Sequence, residues 1–311
     1  MPLKSLKVFA PASVANVAVG YDILGFALEK PGDEVIVREG RRPGLFIEDI
    51  RGDGGKLSRD VELNTASFGA WKLLSSLGEE KRPIEMIIHK KMPFGSGLGS
   101  SAASAVAGVF AVNQFLNTGL SKTEILPFAV EAEQLADGSY HADNVAPALL
   151  GGMVLIRDNQ SMDFKKIHIP QGLSVAIIYP KIEILTRESR GILTEHVELN
   201  KMITQTGNLA AFISAMYTSD FDLLSRCLQD VVIEPQRAHL IPHFYSLKEI
   251  ALNEGALGFS ISGAGPAMFA LCINTTDAEN IVTRCNVFLN KKSIPNQCFT
   301  SGINHEGTVV C

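Results

Sequence analysis

Residues 92–104 read Met-Pro-Phe-Gly-Ser-Gly-Leu-Gly-Ser-Ser-Ala-Ala-Ser, and this run constrains the chain more than any other. A strand-like run at 84–90 precedes it, and an Ala-rich helical run at 102–115 follows. The alternating Gly95, Gly97 and Gly99 let the backbone turn tightly at φ > 0 without Cβ strain. Ser100 and Ser101 then stand where the first turn of a helix leaves its N–H groups unpaired. Such a terminus favours an anion, above all a phosphate. The spacing is not the G-x-G-x-x-G of a dinucleotide fingerprint, and no Lys follows the last glycine as in the nucleoside-triphosphate loop. A Gly-Ser connector is the bland alternative, and its place between strand and helix counts against it. The run is expected to cradle phosphate.

At 311 residues the chain has room for two domains. Hydrophobic residues at 46% and charged ones at 20% fit an ordinary globular protein. A net charge of -5 gives no reason to expect nucleic acid or an anionic membrane, so phosphate must be met by local donors. The cysteines at 227, 272, 285, 298 and 311 are scattered and lack C-x-x-C spacing, which indicates neither a disulfide framework nor a zinc site. The amino-terminal Met-Pro-Leu-Lys-Ser-Leu-Lys lacks the apolar segment of a signal peptide, and no later run is long enough to span a bilayer. A cytoplasmic setting is expected.

Along the chain, residues 8–13 predict a strand that ends at a Pro-marked turn. Asn16 and Asp22 then stand alone in an apolar stretch, either as turn residues or as groups aimed at a small polar substrate. Strands are expected at 35–38 and 45–47. Ala66, Ala70, Leu73 and Leu77 recur at helical spacing, with Gly78 placed to end the helix. Asn64 at its start either caps it or also borders a nucleotide. Ser121 and Glu124 form a capping box for a helix to about 136. On it, Glu131 and Glu133 cannot face the same way, so at least one is a solvated charge. Asp137-Gly138-Ser139 breaks the helix. His141, Asp143 and Asn144 then gather within four positions, more than a turn needs.

A strand at 153–156 closes the first unit, and the boundary is placed between about 157 and 171. In the second unit a strand is expected at 175–179, and Thr186 is expected to cap a short helix carrying Arg187 and Arg190. Helices at 209–216 and 223–232 precede Glu234-Pro235-Gln236-Arg237. The three arginines are either surface charges or forks for a carboxylate or phosphate. A helix at 245–253, strands at 259–262 and 267–273 around the 263–266 turn, a capping box at Thr276 and Glu279, and a weak final strand complete an α+β pattern.

Three blocks therefore stand in order: Pro11-Ala12-Ser13 with Asn16, then 93–104, then Ser262-Gly263-Ala264-Gly265-Pro266. Together they resemble the three motifs of the GHMP small-molecule kinases. Ala10 to Asn16, His141 to Pro147 and Glu234 to Arg237 are most similar to the branch that acts on L-homoserine. The resemblance covers essentially the whole chain. It implies a two-domain α+β fold, with an N-terminal domain at 1–165 like one in a ribosomal protein and a ferredoxin-like C-terminal domain at 166–311. It implies ATP-dependent phosphorylation of the side-chain hydroxyl of L-homoserine, in threonine biosynthesis, by a homodimer.

Residue by residue, the resemblance implies that Pro93, Phe94, Gly95, Ser96, Gly97, Leu98, Gly99, Ser100, Ser101, Ala102 and Ala103 wrap the triphosphate of ATP. Gly263 and Gly265 support that loop, and Asn64 lies near the adenine. Ser100 or Ser101, with Glu133, reaches Mg²⁺, which suits hard oxygen ligands. Asn16, Asp22, His141 and Asn144 hold the amino and hydroxyl ends of homoserine; Arg190 and Arg237 clamp its carboxylate, with Thr186 at the same site. Asn144 orients the hydroxyl and Asp143 supports it, and the proton passes to phosphate without a dedicated base. Ala264 and Ala267 replace the Ser or Thr of many relatives. The competing expectations are another GHMP kinase, acting on mevalonate or a sugar, and a non-catalytic sensor of the same fold. Both arginines favour a carboxylate-bearing substrate, and a sensor has no need of the Ser100, Ser101 and Glu133 set.

Overall fold

The computed structural model describes residues 5–138 and 140–311. Ser139 of the expected helix break and the first four residues of the amino-terminal reading lie outside the described residues. The larger sheet is built on β1 (Ser5–Ala15) and the long β2 (Leu24–Glu39), paired antiparallel. β3 (Leu45–Arg51) pairs parallel to β4 (Ile84–His89), which in turn pairs with β2. In β4 buried and half-buried residues alternate, as a strand with one face on a core requires. β1 does not stop at Pro11. A register shift between Pro11 and Ser13 absorbs the proline and the strand continues, since a bulge is where a sheet tolerates proline.

Among the described residues, this half carries the helices α1 (Thr65–Ser76), α2 (Ser100–Leu116), α3 (Lys122–Asp137) and α4 (Val145–Leu150). Asn64 caps α1, and the Ser121–Glu124 capping box of α3 is present in full. α2 is buried almost all round, the behaviour of a helix without a polar face. Its small residues allow close packing; a Cβ on Gly108 would run into the backbone of Ala66.

A hairpin of β5 (Met153–Asp158) and β6 (Asp163–Ile167) extends the larger sheet through β2. The second sheet runs β10-β7-β9-β8, made of β7 (Ser174–Pro180), β8 (Gly258–Ile261), β9 (Met268–Cys272) and β10 (Asn296–Gly302). Helices α5 (Thr186–Gly191), α6 (Leu199–Thr218), α7 (Phe221–Cys227), α8 (Glu234–Arg237), α9 (Phe244–Asn253) and α10 (Thr275–Lys291) complete this half. The final strand β11 (Val309–Val310) returns to β1. A line at 165/166 falls inside β6, so the change of sheet lies between β6 and β7. The α+β expectation is met.

Three local expectations are corrected. The helix expected at 223–232 ends at Cys227, because the Asp230 carboxylate collects the N–H groups of Val232, Ile233 and Glu234 at 2.8–2.9 Å and turns the chain instead. The cap of α10 is Asn274, which accepts from Asp277 N at 2.8 Å, ahead of the expected Thr276 box. Thr186 is the first helical residue of α5; the cap position belongs to Leu185, whose side chain has no oxygen to offer.

Candidate active site

The loop between β4 and α2 ends at Gly99, which stands at the head of α2 in the left-handed conformation with φ of 66°. Among the described residues no side chain caps this terminus, and a helix start of this kind suits an anion. Neighbouring elements hold the loop open. Ser13 N donates to Leu98 O at 3.1 Å, Ser262 Oγ to Gly97 O at 2.7 Å, and Ala267 N to Ser96 O at 2.9 Å. The 262–266 turn of the second sheet is thereby seated against the loop.

Beneath the loop lies a buried cluster that the sequence reading missed. The Lys90 ammonium pairs with Asp33 and donates to Ser100 Oγ and Ser104 Oγ, each at 2.7 Å, and to Ser100 O at 2.8 Å. Burial pulls the Lys90 amine below its ordinary value, against the opposing pull of Asp33. Asp33 in turn accepts from Lys91 N and Met92 N at 2.8 and 3.2 Å, which fixes the entry to the loop. Only a lysine closing an apolar strand hinted at this.

Ser100 and Ser101 therefore differ. Ser100 Oγ faces a cation, whereas Ser101 Oγ donates to Glu133 Oε1 at 2.6 Å. A hydroxyl beside a buried carboxylate is a hard-oxygen set that fits Mg²⁺; a hydroxyl held by an ammonium does not. Glu131 is an exposed charge 3.9 Å from Lys72. Asn64 spends its carboxamide within the chain, on Ala66 N at 3.1 Å and Ser58 O at 2.9 Å, and so shapes the start of α1.

The other end of the site is one continuous polar network. Asn16, Val17 and Ala18 follow each other in the left-handed region at φ of 70°, 44° and 59°, a strained run for non-glycine residues and most of all for β-branched Val17. This turn aims Asn16 Nδ2 at Gly263 O, 3.0 Å away, while its Oδ1 receives Asp22 N at 3.0 Å. Both Asn16 and Asp22 are thus turn residues, and Asn16 also reaches the 262–266 turn beside the loop. Arg190 forks onto Asp22 at 2.8 and 2.9 Å and reaches His141 Nε2 at 2.9 Å. Facing a guanidinium, that nitrogen takes the acceptor role, which puts the ring proton on Nδ1, 3.0 Å from Asp143 Oδ1. Asn144 Oδ1 accepts from Ser13 Oγ at 2.8 Å, linking the network to the phosphate loop.

Arg237 is buried. Its Nε donates to Ser189 O at 3.0 Å, Nη1 to Gly263 O at 3.2 Å and Nη2 to Tyr21 Oη at 3.3 Å. Burial draws its guanidinium below the ordinary arginine value, with the charge of Arg190 adding to the effect and Tyr21 and Asp22 opposing it. Tyr21 and Ser189 are further residues that sequence reasoning missed; neither carries a charge or a motif. Arg187 is exposed, and Thr186 begins the helix that carries Arg190.

The sequence patterns of the GHMP kinases N terminal domain and the GHMP kinases C terminal region match residues 64–152 and 212–290. The homoserine kinase of Chlorobium phaeovibrioides is 42% identical, over 98% of this chain and 99% of its own. That of Xanthomonas campestris pv. campestris is 39% identical, over 86% and 82%. The crystal structure of homoserine kinase from Cytophaga hutchinsonii superposes with a TM-score of 0.96 at 44% identity, covering 99% of this chain and 97% of that one. An L. major mevalonate kinase shares the fold at a TM-score of 0.73 and 18% identity, covering 97% of each chain. The chain belongs to the GHMP kinases and, among them, to the homoserine kinases.

Proposed function

We propose that the chain transfers the γ-phosphoryl group of ATP to the side-chain hydroxyl of L-homoserine, giving O-phospho-L-homoserine and ADP on the route to threonine. The observation that carries the substrate assignment is Arg237. The residue is 3% exposed, and its guanidinium is met by two carbonyls and a phenol, with no carboxylate paired to it among the described residues. Burying a cation without a counter-ion is costly, and a ligand carboxylate offsets that cost. Gly263 accepts from Arg237, and the adjoining Ser262 holds Gly97, so the anion-seeking pocket abuts the phosphate loop. Asp22 offers the negative charge that an α-ammonium needs and that mevalonate has no group to meet.

In this reading the N–H groups of residues 93–103 wrap the triphosphate, and Asn64 borders the adenine by holding the turn that starts α1. Ser101 and Glu133 would hold Mg²⁺, which would supply charge neutralisation to the triphosphate. Arg190 and Arg237 take the carboxylate, with Thr186 at the edge of that site. Asn16, Asp22 and His141 align the amino end, and Asp143 keeps the His141 ring in place. Because Ser13 occupies the Asn144 oxygen, the Asn144 N–H₂ is what remains to orient the acceptor hydroxyl. A loose transition state asks for positioning and charge neutralisation more than for a strong base, so the hydroxyl proton passes to the transferred phosphoryl group. ADP release with Mg-ATP and L-homoserine, set against mevalonate, galactose and L-serine, tests the assignment. Folded protein without homoserine-dependent turnover overturns it.

A further inference from the structure

Tyr21 lies between the two arginines of the site. Arg190 Cζ is 5.4 Å from its ring centroid and Arg237 Cζ 5.1 Å, so one aromatic ring stands within cation–π reach of both guanidinia. Arg237 also donates to its hydroxyl at 3.3 Å. The turn that bears Tyr21 is fixed on both sides: Gly20 N donates to Asn16 O at 2.8 Å, and Asp22, at φ of 60°, donates its N–H to Asn16 Oδ1 at 3.0 Å. Two cations that share a small pocket repel each other. Asp22 forks directly onto Arg190, whereas the hydrogen-bond partners of Arg237 among the described residues are carbonyls and this phenol. Burial, followed by the charge of Asp22, raises the phenol above its ordinary value, so it keeps its proton. A phenol that accepts from Arg237 still has that O–H to donate.

We propose that Tyr21 is a positioning residue for the substrate carboxylate: its ring sets the gap between the guanidinia of Arg190 and Arg237, and its hydroxyl adds a donor beside Arg237. This rests on the carboxylate clamp proposed above. The preference of the enzyme for a substrate bearing an α-carboxylate therefore depends on Tyr21, although the residue is remote in type from any phosphoryl-transfer chemistry.

The test compares kcat/KM for L-homoserine with that for L-homoserine amide, whose carboxamide is neutral, in the wild type, Tyr21→Phe and Tyr21→Leu. The wild type is expected to prefer homoserine. Tyr21→Phe loses about ten- to a hundredfold of that preference, as one hydrogen bond to a charged partner is removed, and Tyr21→Leu loses more. The rise is in KM for homoserine, and kcat/KM for the amide falls by a smaller factor than kcat/KM for homoserine. If homoserine and amide fall together, Tyr21 is merely structural and the proposal is overturned. It is equally overturned if both variants keep the full preference. A wild type that does not prefer homoserine over the amide overturns the clamp itself. The Phe variant keeps the ring and carries the test alone should the Leu variant not fold.

Discussion

Lys90 reaches Ser100 twice, its ammonium 2.7 Å from the hydroxyl and 2.8 Å from the carbonyl of the same residue, while pairing with the fully buried Asp33. The last residue before the phosphate loop is thereby tied to the first residue of the helix after it. The loop is held at both ends by one buried charge. Removing that charge leaves Asp33 uncompensated in the core. Lys90→Met is expected to destabilise the protein by about 3–5 kcal/mol, as when one partner of a buried pair is deleted. The double variant Lys90→Met/Asp33→Leu is expected to recover part of the loss. Urea unfolding of the two variants checks this, and equal losses would show that Lys90→Met leaves no uncompensated Asp33 charge to relieve.

The same contact separates the two serines. Ser101→Ala is expected to raise the Mg²⁺ concentration needed for half-maximal activity, and Glu133→Gln to do so more strongly, with kcat reduced about a hundredfold. Ser100→Ala removes a partner of Lys90 and should lower stability while leaving the Mg²⁺ requirement in place. Mg²⁺ titrations of activity in the three variants decide it. A shifted requirement in Ser100→Ala alone would reassign the ligand.

Gly97 and Gly119 both take positive φ, at 79° and 81°, but only one is crowded. A Cβ on Gly97 would lie 2.5 Å from Ser262 O and 2.8 Å from Gly265 O, whereas nothing lies within 4 Å of the position on Gly119. Alanine at either site carries about 1–2 kcal/mol of backbone strain. Gly97→Ala must also part the loop from the 262–266 turn. KM for ATP is expected to rise about tenfold or more in Gly97→Ala and to stay unchanged in Gly119→Ala. Steady-state kinetics on the pair measures the contribution of that seating.

Where chemistry is local, the sequence was legible. The glycine loop, the Asn64 cap and the Ser121 capping box each depend on residues within a few positions, and each is found in place. Asp33 and Lys90 are 57 positions apart, and no spacing rule joins an acid in one strand to a lysine closing another. Tyr21 was overlooked for a similar reason, because its role comes from arginines contributed by α5 and α8. The strand at 163–167 is mostly polar and half-exposed, so it carries no clear alternation, and the helix expected through 232 failed because Asp230 offers the backbone a competing set of bonds. Arg190 and Arg237 were visible as candidates. Burial, which only the fold supplies, separated them from Arg187.

Glu234, the first residue of the helix that carries Arg237, gives a signed pH dependence. It is buried, pairs with Lys248 and accepts from Ser260 Oγ at 2.7 Å. Burial raises its carboxyl above the ordinary value of 4.5, and the neighbouring Lys248 only partly opposes this. With the folded value above the unfolded one, the native state binds the extra proton in the window between them. Stability therefore increases as pH falls through the folded value toward 4.5, and is lost again as pH rises through the folded value. Glu234→Gln has no proton to exchange at this position, and Asp230, raised by burial in the same direction, is common to both proteins. The unfolding free energy of the wild type minus that of Glu234→Gln is thus expected to increase from about pH 7 to about pH 5. Urea unfolding at intervals across that range measures it. A difference that shrinks toward acid would mean that the ion pair with Lys248, rather than burial, sets the carboxyl of Glu234.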